Sequence, residues 1–224
     1  MEYGIDRRTN SVIMRRETFN AKKDSSLILH APLTSAGTDI VGGKTPTVSG
    51  SVSYSQDGVR LQNSSLLIYN FTTSEAVTAK TFHCEIMPYT QINTYDYAYV
   101  YGSYVNNTPY FRAAICRMQS AGSIYLTMSR SANRYDADSN TSQPFPLNTY
   151  KKLTFVFEPS VQRLYSDGVQ IWSSNGTDTW NCWGQSAITL TLGGTGNSAR
   201  TFNGYIRNFM IFNRALTAQE IAML

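Results

Sequence analysis

The sequence predicts an all-β protein, a sandwich of two antiparallel sheets followed by one short helix near the carboxyl terminus. More than ten short segments with alternating apolar and polar residues follow one another from Leu27 onward, a spacing typical of a sandwich. Two Asp-Gly pairs, Asp57-Gly58 and Asp167-Gly168, lie between such segments and indicate tight hairpins. Charged residues make up only 15% of the chain, whereas Ser, Thr, Asn, Gly and Tyr abound. At 224 residues we expect one large domain with its own core.

Residues 1–26 are predicted to form an arm separate from the sandwich of residues 27–224. Basic pairs recur along this arm at positions 7–8, 15–16 and 22–23, between apolar residues. Two interpretations stay open: a solvated, partly disordered tail, or a docking arm that orders on a neighbouring subunit or a larger assembly. The arm has no apolar core of a signal peptide, so we expect none in this chain. No apolar run approaches the length of a membrane span.

The strands can be assigned in order from their period of two. They lie in the segments LILHAPL, VSYSQDGVRL, TFHCEI, FRAAICRM, SIYLTMS, KKLTFVFE, LYSDGVQIW, ITLTL and FNGYIRNFMIF. The closing helix is predicted from a different signal. Thr217 and Glu220 have the spacing of a capping box, and Leu216 and Ile221 flank them as a hydrophobic staple.

The closing segment FNGYIRNFMIFNRALTAQEIAML resembles the closing signature of concanavalin A-like, laminin G-like domains. The segments YKKLTFVFEPSVQRLYSDGVQIW and LILHAPLTSAGTDIVGGKTPTVSG resemble the central hairpin and the opening strand with its loop. The resemblance covers Leu27 to Leu224 and implies a jelly-roll sandwich with one gently concave sheet. It implies function less firmly, because the fold hosts lectins, adhesins, glycanases and structural modules. The signature positions are Gly204, Ile206, Phe212, Asn213, Arg214, Ala215, Leu216, Glu220 and Ile221.

The sequence argues against an enzyme. Glycanases of this fold resemble one another in a strand that bears the pattern E-x-D-x-E, whose spacing places acid and nucleophile on one face. No such triplet occurs here, and the nearest pair, Asp136 and Asp138, stands among loop-forming residues. His30 and His83 lie far apart in sequence, without a nucleophile motif beside either. A glycoside hydrolase is therefore the least favoured alternative.

A calcium site is a second hypothesis. Asp136, Asp138 and Asn140 alternate like the opening of a calcium loop, although the glycine and terminal glutamate of an EF-hand are missing. The laminin G-like resemblance implies one calcium ion near a loop edge, which these residues or Asp39 would hold. A solvated acidic turn explains the same pattern without a metal.

A tryptophan-rich loop is the first candidate for ligand binding. WSSNGTDTWNCWG contains three tryptophans among small polar residues, with hydrogen-bonding side chains beside them. Exposed flat rings beside amides or carboxylates suit a glycan. In the alternative, one or two of these rings plug the end of the sandwich. The candidate residues are Trp172, Asn175, Asp178, Trp180 and Trp183.

A tyrosine ladder in YDYAYVYGSY is the second candidate for ligand binding. A period of two places its four tyrosines on one strand face, with Ala98 and Val100 on the other. Four buried phenols would each need a hydrogen-bond partner, which favours tyrosines that face away from the core. Their rings suit a sugar or a protein interface. The four are Tyr95, Tyr97, Tyr99 and Tyr101.

These observations together predict a non-catalytic recognition or assembly module that contacts a glycan or a protein surface. We expect it on a virion, as a phage fibre, decoration or adhesin domain, or on a cell surface. A true carbohydrate-binding lectin domain is the alternative. Residues 1–26 would mediate a homo-oligomer or a larger assembly. Nucleic acid is not an expected partner, because the net charge of +4 is small and spread along the chain.

Overall fold

In the computed structural model, the described part of the chain consists mainly of strands that pair in three sheets. The described residues are 3–6, 11–14, 19–62, 65–72, 80–89, 97–104, 112–119, 124–129, 146–158, 161–175, 188–194 and 202–224. Within these ranges the strands are β1 (Tyr3–Asp6), β2 (Ser11–Met14), β3 (Leu27–Ala31), β4 (Thr47–Ser49), β5 (Ser53–Ser55), β6 (Gly58–Leu61), β7 (Leu66–Phe71), β8 (Thr81–Pro88), β9 (Tyr97–Tyr104), β10 (Arg112–Gln119), β11 (Ile124–Ser129), β12 (Lys151–Phe157), β13 (Val161–Ser166), β14 (Val169–Asn175), β15 (Ile188–Leu192) and β16 (Gly204–Phe212).

Two of the sheets form the predicted antiparallel sandwich. In the described part of the chain, one sheet has the order β14-β13-β12-β8-β16-β6-β5 and the other the order β11-β10-β9-β15-β7-β4. Strand β3 also pairs with β16, along Phe209–Phe212, while β6 pairs with Gly204–Ile206 of the same strand. Strand β16 pairs with β3, β6 and β8, so it joins segments that are far apart in the sequence.

The main core lies between the inner faces of these two sheets. Its side chains alternate along each strand with outward-facing ones, as burial of one sheet face requires. The eight-stranded sheet contributes among others Leu29, Val59, Phe82, Cys84, Phe155 and Ile206, and the six-stranded sheet contributes Leu67, Tyr69, Val100, Leu190 and Leu192. Each of these eleven side chains is essentially inaccessible to solvent, and Cys84 is a buried free thiol among them.

Both predicted Asp-Gly hairpins are confirmed, but their turns differ. Asp167 and Gly168 connect β13 to β14 with φ of +49° and +79°, the two positive values of a type I′ turn. In the β5–β6 hairpin the turn residues are Gln56 and Asp57, and Gly58 already pairs with Ser55. Gly58 has φ of +111° and lies so close to β16 that an added Cβ would be 2.4 Å from the Ile206 carbonyl oxygen. The glycine is therefore required by both its backbone conformation and this contact.

The predicted closing helix, α1 (Ala218–Ile221), has the expected cap. Thr217 Oγ1 accepts from the Glu220 backbone N–H at 3.3 Å, and the Glu220 carboxylate accepts from the Thr217 N–H at 2.8 Å. Leu216 and Ile221, the two staple residues, are both buried. In the described ranges, no helix has the length and hydropathy needed to cross a membrane.

A second, smaller core covers part of the outer face of the eight-stranded sheet. Phe155 belongs to the main core and its neighbour Val156 to the second core, so the two cores lie on opposite faces of β12. The helix α1 and the segment before it close this second core through their staple residues. Its buried members are Leu27, Val156, Tyr165, Met210, Phe212, Leu216 and Ile221.

Residues 19–26 contact this second core. The Phe19 ring lies 6.4 Å from the Phe212 ring, between centroids, and Asp24 forms an ion pair with Arg214. The Asn213 backbone N–H donates to the Ser26 carbonyl oxygen at 2.8 Å. Strands β1 and β2 pair with each other as a separate two-stranded sheet. The division of the chain at residue 26 stays a prediction, whereas these contacts attach residues 19–26 to the sandwich.

Candidate functional site

The tyrosine ladder lies mainly on β9, in the interior of the six-stranded sheet between β10 and β15. Tyr95 is outside the described residues, whereas Tyr97, Tyr99 and Tyr101 occupy alternate positions of the strand. Val100 is fully buried in the main core, as expected for the side opposite the tyrosines. Tyr97 and Tyr99 pair with Gln119 and Arg117 of β10, but the register of this pairing shifts between Tyr99 and Tyr101, so strand alternation does not extend to Tyr101. The ladder is therefore interrupted at Val100, and the role of its tyrosines in binding stays a prediction.

The tryptophan-rich loop begins at the end of β14. Trp172 pairs with Leu164 across the β13–β14 ladder, is half-buried and packs against the main core. This placement fits the alternative in which one ring fills the end of the sandwich. Asn175 is the last residue of β14 and pairs with Val161. Asp178, Trp180 and Trp183 lie outside the described residues, so the loop stays a predicted binding site.

Asp39, one of the predicted calcium ligands, holds a loop in place through backbone N–H groups. Its Oδ1 accepts from His30 at 2.7 Å and Val41 at 2.9 Å, and its Oδ2 accepts from Gly42 at 2.7 Å. Three such bonds leave this buried carboxylate little capacity for a metal ion. Among the residues described, no group of three or more His, Cys, Asp or Glu is arranged to hold a metal. Asp136, Asp138 and Asn140 lie outside them, and calcium binding there stays a prediction.

The titratable residues on the outer face of the eight-stranded sheet serve structural contacts. Burial opposes ionisation of Glu85, but hydrogen bonds from Asn208 (2.7 Å) and Arg207 (2.8 Å) hold its pKa below the ordinary value. His83 lies two residues away on the same face, and its Nδ1 is 2.8 Å from Thr154 Oγ1. Burial lowers the pKa of His83 to about 4, so the ring is neutral at pH 7. These groups stabilise the sheet face as an ion pair and a neutral hydrogen bond.

The structure reveals a surface that was not anticipated from the sequence, here called the tyrosine–arginine patch. It lies toward one end of the eight-stranded sheet, where β16 begins and β8 ends. Tyr205 of β16 pairs with Arg60 of β6 on one side and with Met87 of β8 on the other. Arg207 pairs with Glu85 one step further along β16 and β8. All members of the patch are half-buried, and they are Arg60, Tyr89, Tyr150, Tyr205 and Arg207.

Ring and guanidinium contacts hold the patch together. The Arg60 Cζ lies 4.3 Å from the centroid of the Tyr89 ring and 5.6 Å from that of Tyr205. The Tyr89 and Tyr205 rings meet edge to face with 5.4 Å between centroids. Arg207 Cζ lies 3.9 Å from the centroid of Tyr150. Each such cation–π contact contributes about 0.5–1 kcal/mol at a partly exposed site, so the rings and guanidinium groups fix one another in place.

The backbone around the patch is equally constrained. The Tyr150 hydroxyl donates to the Asp57 carbonyl oxygen, and burial raises the pKa of Tyr150 to about 12. The Tyr89 N–H donates to the Asn203 carbonyl oxygen at 3.0 Å. Gly204 follows at the start of β16, where an added Cβ would be 2.3 Å from the Met87 carbonyl oxygen. Strand alternation in the segment FNGYIRN is enough to place Tyr205 and Arg207 on one face. Which strands lie beside them depends on the order of the strands in the sheet, which the sequence does not indicate.

Comparison with known proteins identifies the class. The Laminin_G_3 family model, described as the concanavalin A-like lectin/glucanases superfamily, matches residues 87–222. The chain therefore belongs to the concanavalin A-like lectin/glucanase superfamily, which confirms the resemblance seen in the closing segment. No curated protein matches the sequence.

Solved structures of low sequence identity share the fold. Domain 4 of AbnA, a GH43 extracellular arabinanase from Geobacillus stearothermophilus in complex with arabinotriose, is 17% identical with a TM-score of 0.72. That alignment covers 88% of this chain and 97% of the arabinanase domain. The botulinum neurotoxin serotype D binding domain is 16% identical with a TM-score of 0.68. There the alignment covers 88% of this chain and 50% of the toxin chain, so this chain spans about half of that domain.

Proposed function

We propose that the protein is a non-catalytic recognition module that binds a saccharide at the surface of a virion or a cell. The tyrosine–arginine patch is the observation that carries this proposal, because it presents partly exposed aromatic rings beside guanidinium groups on a rigid sheet. Such surfaces combine apolar contact area with hydrogen-bond donors, as a sugar requires. The arabinanase domain of similar fold, solved in complex with arabinotriose, supports the proposal.

A binding role without catalysis agrees with the carboxylates. The sequence has no E-x-D-x-E triplet. In the described part of the chain, Glu85 is engaged by both Arg207 and Asn208, which leaves it poorly suited to transfer a proton. A glycosidase would need two carboxyl groups that flank one bond, with the pKa of one raised.

A glycan array followed by titration calorimetry tests the proposal. We expect the array to identify at least one oligosaccharide, with arabino-oligosaccharides among the probes. Tyr205→Ala tests the patch, whereas Trp180→Ala and Trp183→Ala test the tryptophan-rich loop. Ile40→Ala is the matched control, because it removes an exposed apolar side chain from the loop after β3. An array without a single hit, on protein shown to be folded, would refute saccharide binding.

A second candidate function is assembly through the amino-terminal segment. Strands β1 and β2 form a sheet of their own, apart from the two sheets of the sandwich, which favours a docking hairpin. The test is deletion of residues 1–18 only, because Phe19 and Asp24 contact the second core. We expect the truncated sandwich to melt at an unchanged temperature but to lose its oligomeric state or its incorporation into the complex. Unchanged assembly by light scattering and by complex reconstitution would rule out this role.

A further inference from the structure

We propose that the tyrosine–arginine patch binds the carboxylate of an acidic sugar, with Arg60 as the residue that pairs with the anion. The inference rests on the proposed saccharide-binding function and adds the class of sugar. It concerns the end of the eight-stranded sheet where β6, β8 and β16 meet, whereas the tyrosine ladder of β9 belongs to the six-stranded sheet.

Arg60 differs in its partners from three other arginines of the described part of the chain. Three arginines of the described part, Arg163, Arg207 and Arg214, each form an ion pair with a carboxylate of this chain. Within the described residues the Arg60 side chain forms no ion pair, and its one hydrogen bond runs from Nη1 to the Leu61 carbonyl oxygen at 3.0 Å. A guanidinium carries five N–H donors, so most of the donors of Arg60 have no partner among the described residues.

The position of the Arg60 guanidinium is fixed before any ligand arrives. Its stacking on Tyr89 and its contact with Tyr205 restrict the side chain, and the β6–β16 pairing fixes the backbone beneath it. A planar guanidinium held in one orientation offers two parallel N–H groups that match the two oxygens of a carboxylate. Because the side chain loses little freedom on binding, the cost of ordering it is small.

The rings beside Arg60 favour a sugar over a free anion. Tyr89 and Tyr205 form an edge-to-face pair next to the guanidinium, so a ligand whose carboxylate reaches Arg60 also meets an aromatic surface. A pyranose that bears a carboxylate presents both an apolar ring face and an anion, whereas inorganic anions present only the anion. Uronic and sialic acids belong to this class.

The charged residues near Arg60 are compatible with a preference for acidic sugars, and one of them provides a test of that preference. Arg207 is neutralised by Glu85, whose carboxylate is bound and turned toward Arg207 and Asn208. Lys152 pairs with Glu85 across β12 and β8 and adds a positive charge to the same face. Asp57, in the β5–β6 turn, is an acidic residue beside the patch, since its carbonyl oxygen accepts from the Tyr150 hydroxyl, and its negative charge opposes the binding of an anion here. Removal of the negative charge of Asp57 should therefore raise the affinity for acidic sugars.

The experiment compares acidic and neutral sugars by titration calorimetry on the full chain. The probes are glucuronic, galacturonic and N-acetylneuraminic acid oligosaccharides, the methyl esters of the same compounds, and inorganic sulfate and phosphate. We expect the free acids to bind at least about 10-fold more tightly than their esters, a difference that corresponds to one charged contact. Sulfate or phosphate should compete only weakly, and a chelator should leave the affinity unchanged because no metal ion takes part.

The variants separate Arg60 from its surroundings. Arg60→Met should abolish the preference for acids over esters, and Arg60→Lys should retain part of that preference without the bidentate geometry. Asp57→Asn should raise the affinity for acids a few-fold. Arg163→Met is the matched control, because it removes an arginine from β13 outside the patch, and it should have no effect. Melting temperatures confirm that each variant is folded.

Four results would overturn the inference. If acids and esters bind with equal affinity, or if both Arg60 variants keep the preference for acids, Arg60 does not bind the carboxylate. Either result leaves the proposed saccharide binding intact. Sulfate that binds as tightly as the uronic acids makes the patch an anion site without a sugar. If a chelator abolishes binding, the sugar carboxylate binds a metal ion and not Arg60. If no saccharide binds at all, the proposed function fails together with this inference.

Discussion

Substitution of Glu220 by Gln tests the cluster that closes the sandwich. The Glu220 carboxylate accepts from Arg214 Nη1 at 2.9 Å and from Arg214 Nη2 at 2.6 Å, and from the Thr217 backbone N–H at 2.8 Å. The hydrogen bonds from Arg214 outweigh burial and lower the pKa of Glu220 from 4.5 to about 2. Gln also fits a capping box at this position, so Glu220→Gln removes the charge and keeps the shape of the cap.

The expected magnitude follows from the pKa and the exposure of the pair. A fall in pKa from 4.5 to about 2 corresponds to at most about 3 kcal/mol of stabilisation. The Glu220 and Arg214 side chains are 21% and 36% exposed, so solvent screening reduces the value. We expect Glu220→Gln to lower the free energy of unfolding by about 1–2 kcal/mol at pH 7.

The pH dependence gives the sharper test. The folded protein binds a proton at Glu220 less readily than the unfolded chain does, so the stabilisation is complete above about pH 4.5 and is lost as the pH falls through about 2. Urea unfolding of wild type and variant from pH 7 to pH 3, followed by circular dichroism, should show the gap between them narrowing. Glu158→Gln, at the partly exposed ion pair with Arg163, is the matched control and should cost under about 1 kcal/mol. A variant as stable as wild type at pH 7, or a gap that stays constant to pH 3, would refute the argument.

Three other predictions concern stability. Gly204→Ala should lower the free energy of unfolding in urea by about 1–3 kcal/mol, because its Cβ would lie 2.3 Å from the Met87 carbonyl oxygen; unchanged stability would contradict this close approach. Tyr69→Phe should cost about 1–3 kcal/mol by the same measurement, because its hydroxyl donates to the Gly37 carbonyl oxygen inside the core, and a neutral effect would show that this bond contributes nothing. His83 is neutral in the fold, since burial lowers its pKa to about 4, so wild type should lose up to about 3 kcal/mol as the pH falls from 6.5 to 4. His83→Gln should flatten that part of the stability profile, and an unaltered profile would assign the loss to other groups.

The sandwich and its closing helix were predictable because their signals are local. Strand alternation places Val100 and Phe82 in the core without knowledge of any partner strand. The cap and staple around Thr217 depend on residues at most a few positions apart, and both are confirmed. The superfamily was likewise predictable from the closing segment, since the positions that define it include Arg214, which the structure places between Asp24 and Glu220.

The patch and the second core were not predictable because they depend on long-range register. Tyr205 meets Arg60 only because β6 pairs with the start of β16, and neither residue identifies the other in the sequence. In the amino-terminal segment the basic pairs dominated the pattern, so residues 1–26 were predicted as one arm. Phe19 and Asp24 obtain their partners from the carboxyl-terminal part of the chain, which no local pattern indicates.

The contact between these two ends also constrains the order of folding. Asp24 and Arg214 are 190 residues apart, so the loop that their ion pair closes includes nearly the whole sandwich. Closing a loop of that length costs conformational entropy before any contact offsets it, and such contacts form late. During synthesis, Phe19 and Asp24 leave the ribosome long before Phe212 and Arg214 exist. The second core therefore forms only after β16 and α1 have been synthesised, and the sheet face beneath it stays uncovered until then.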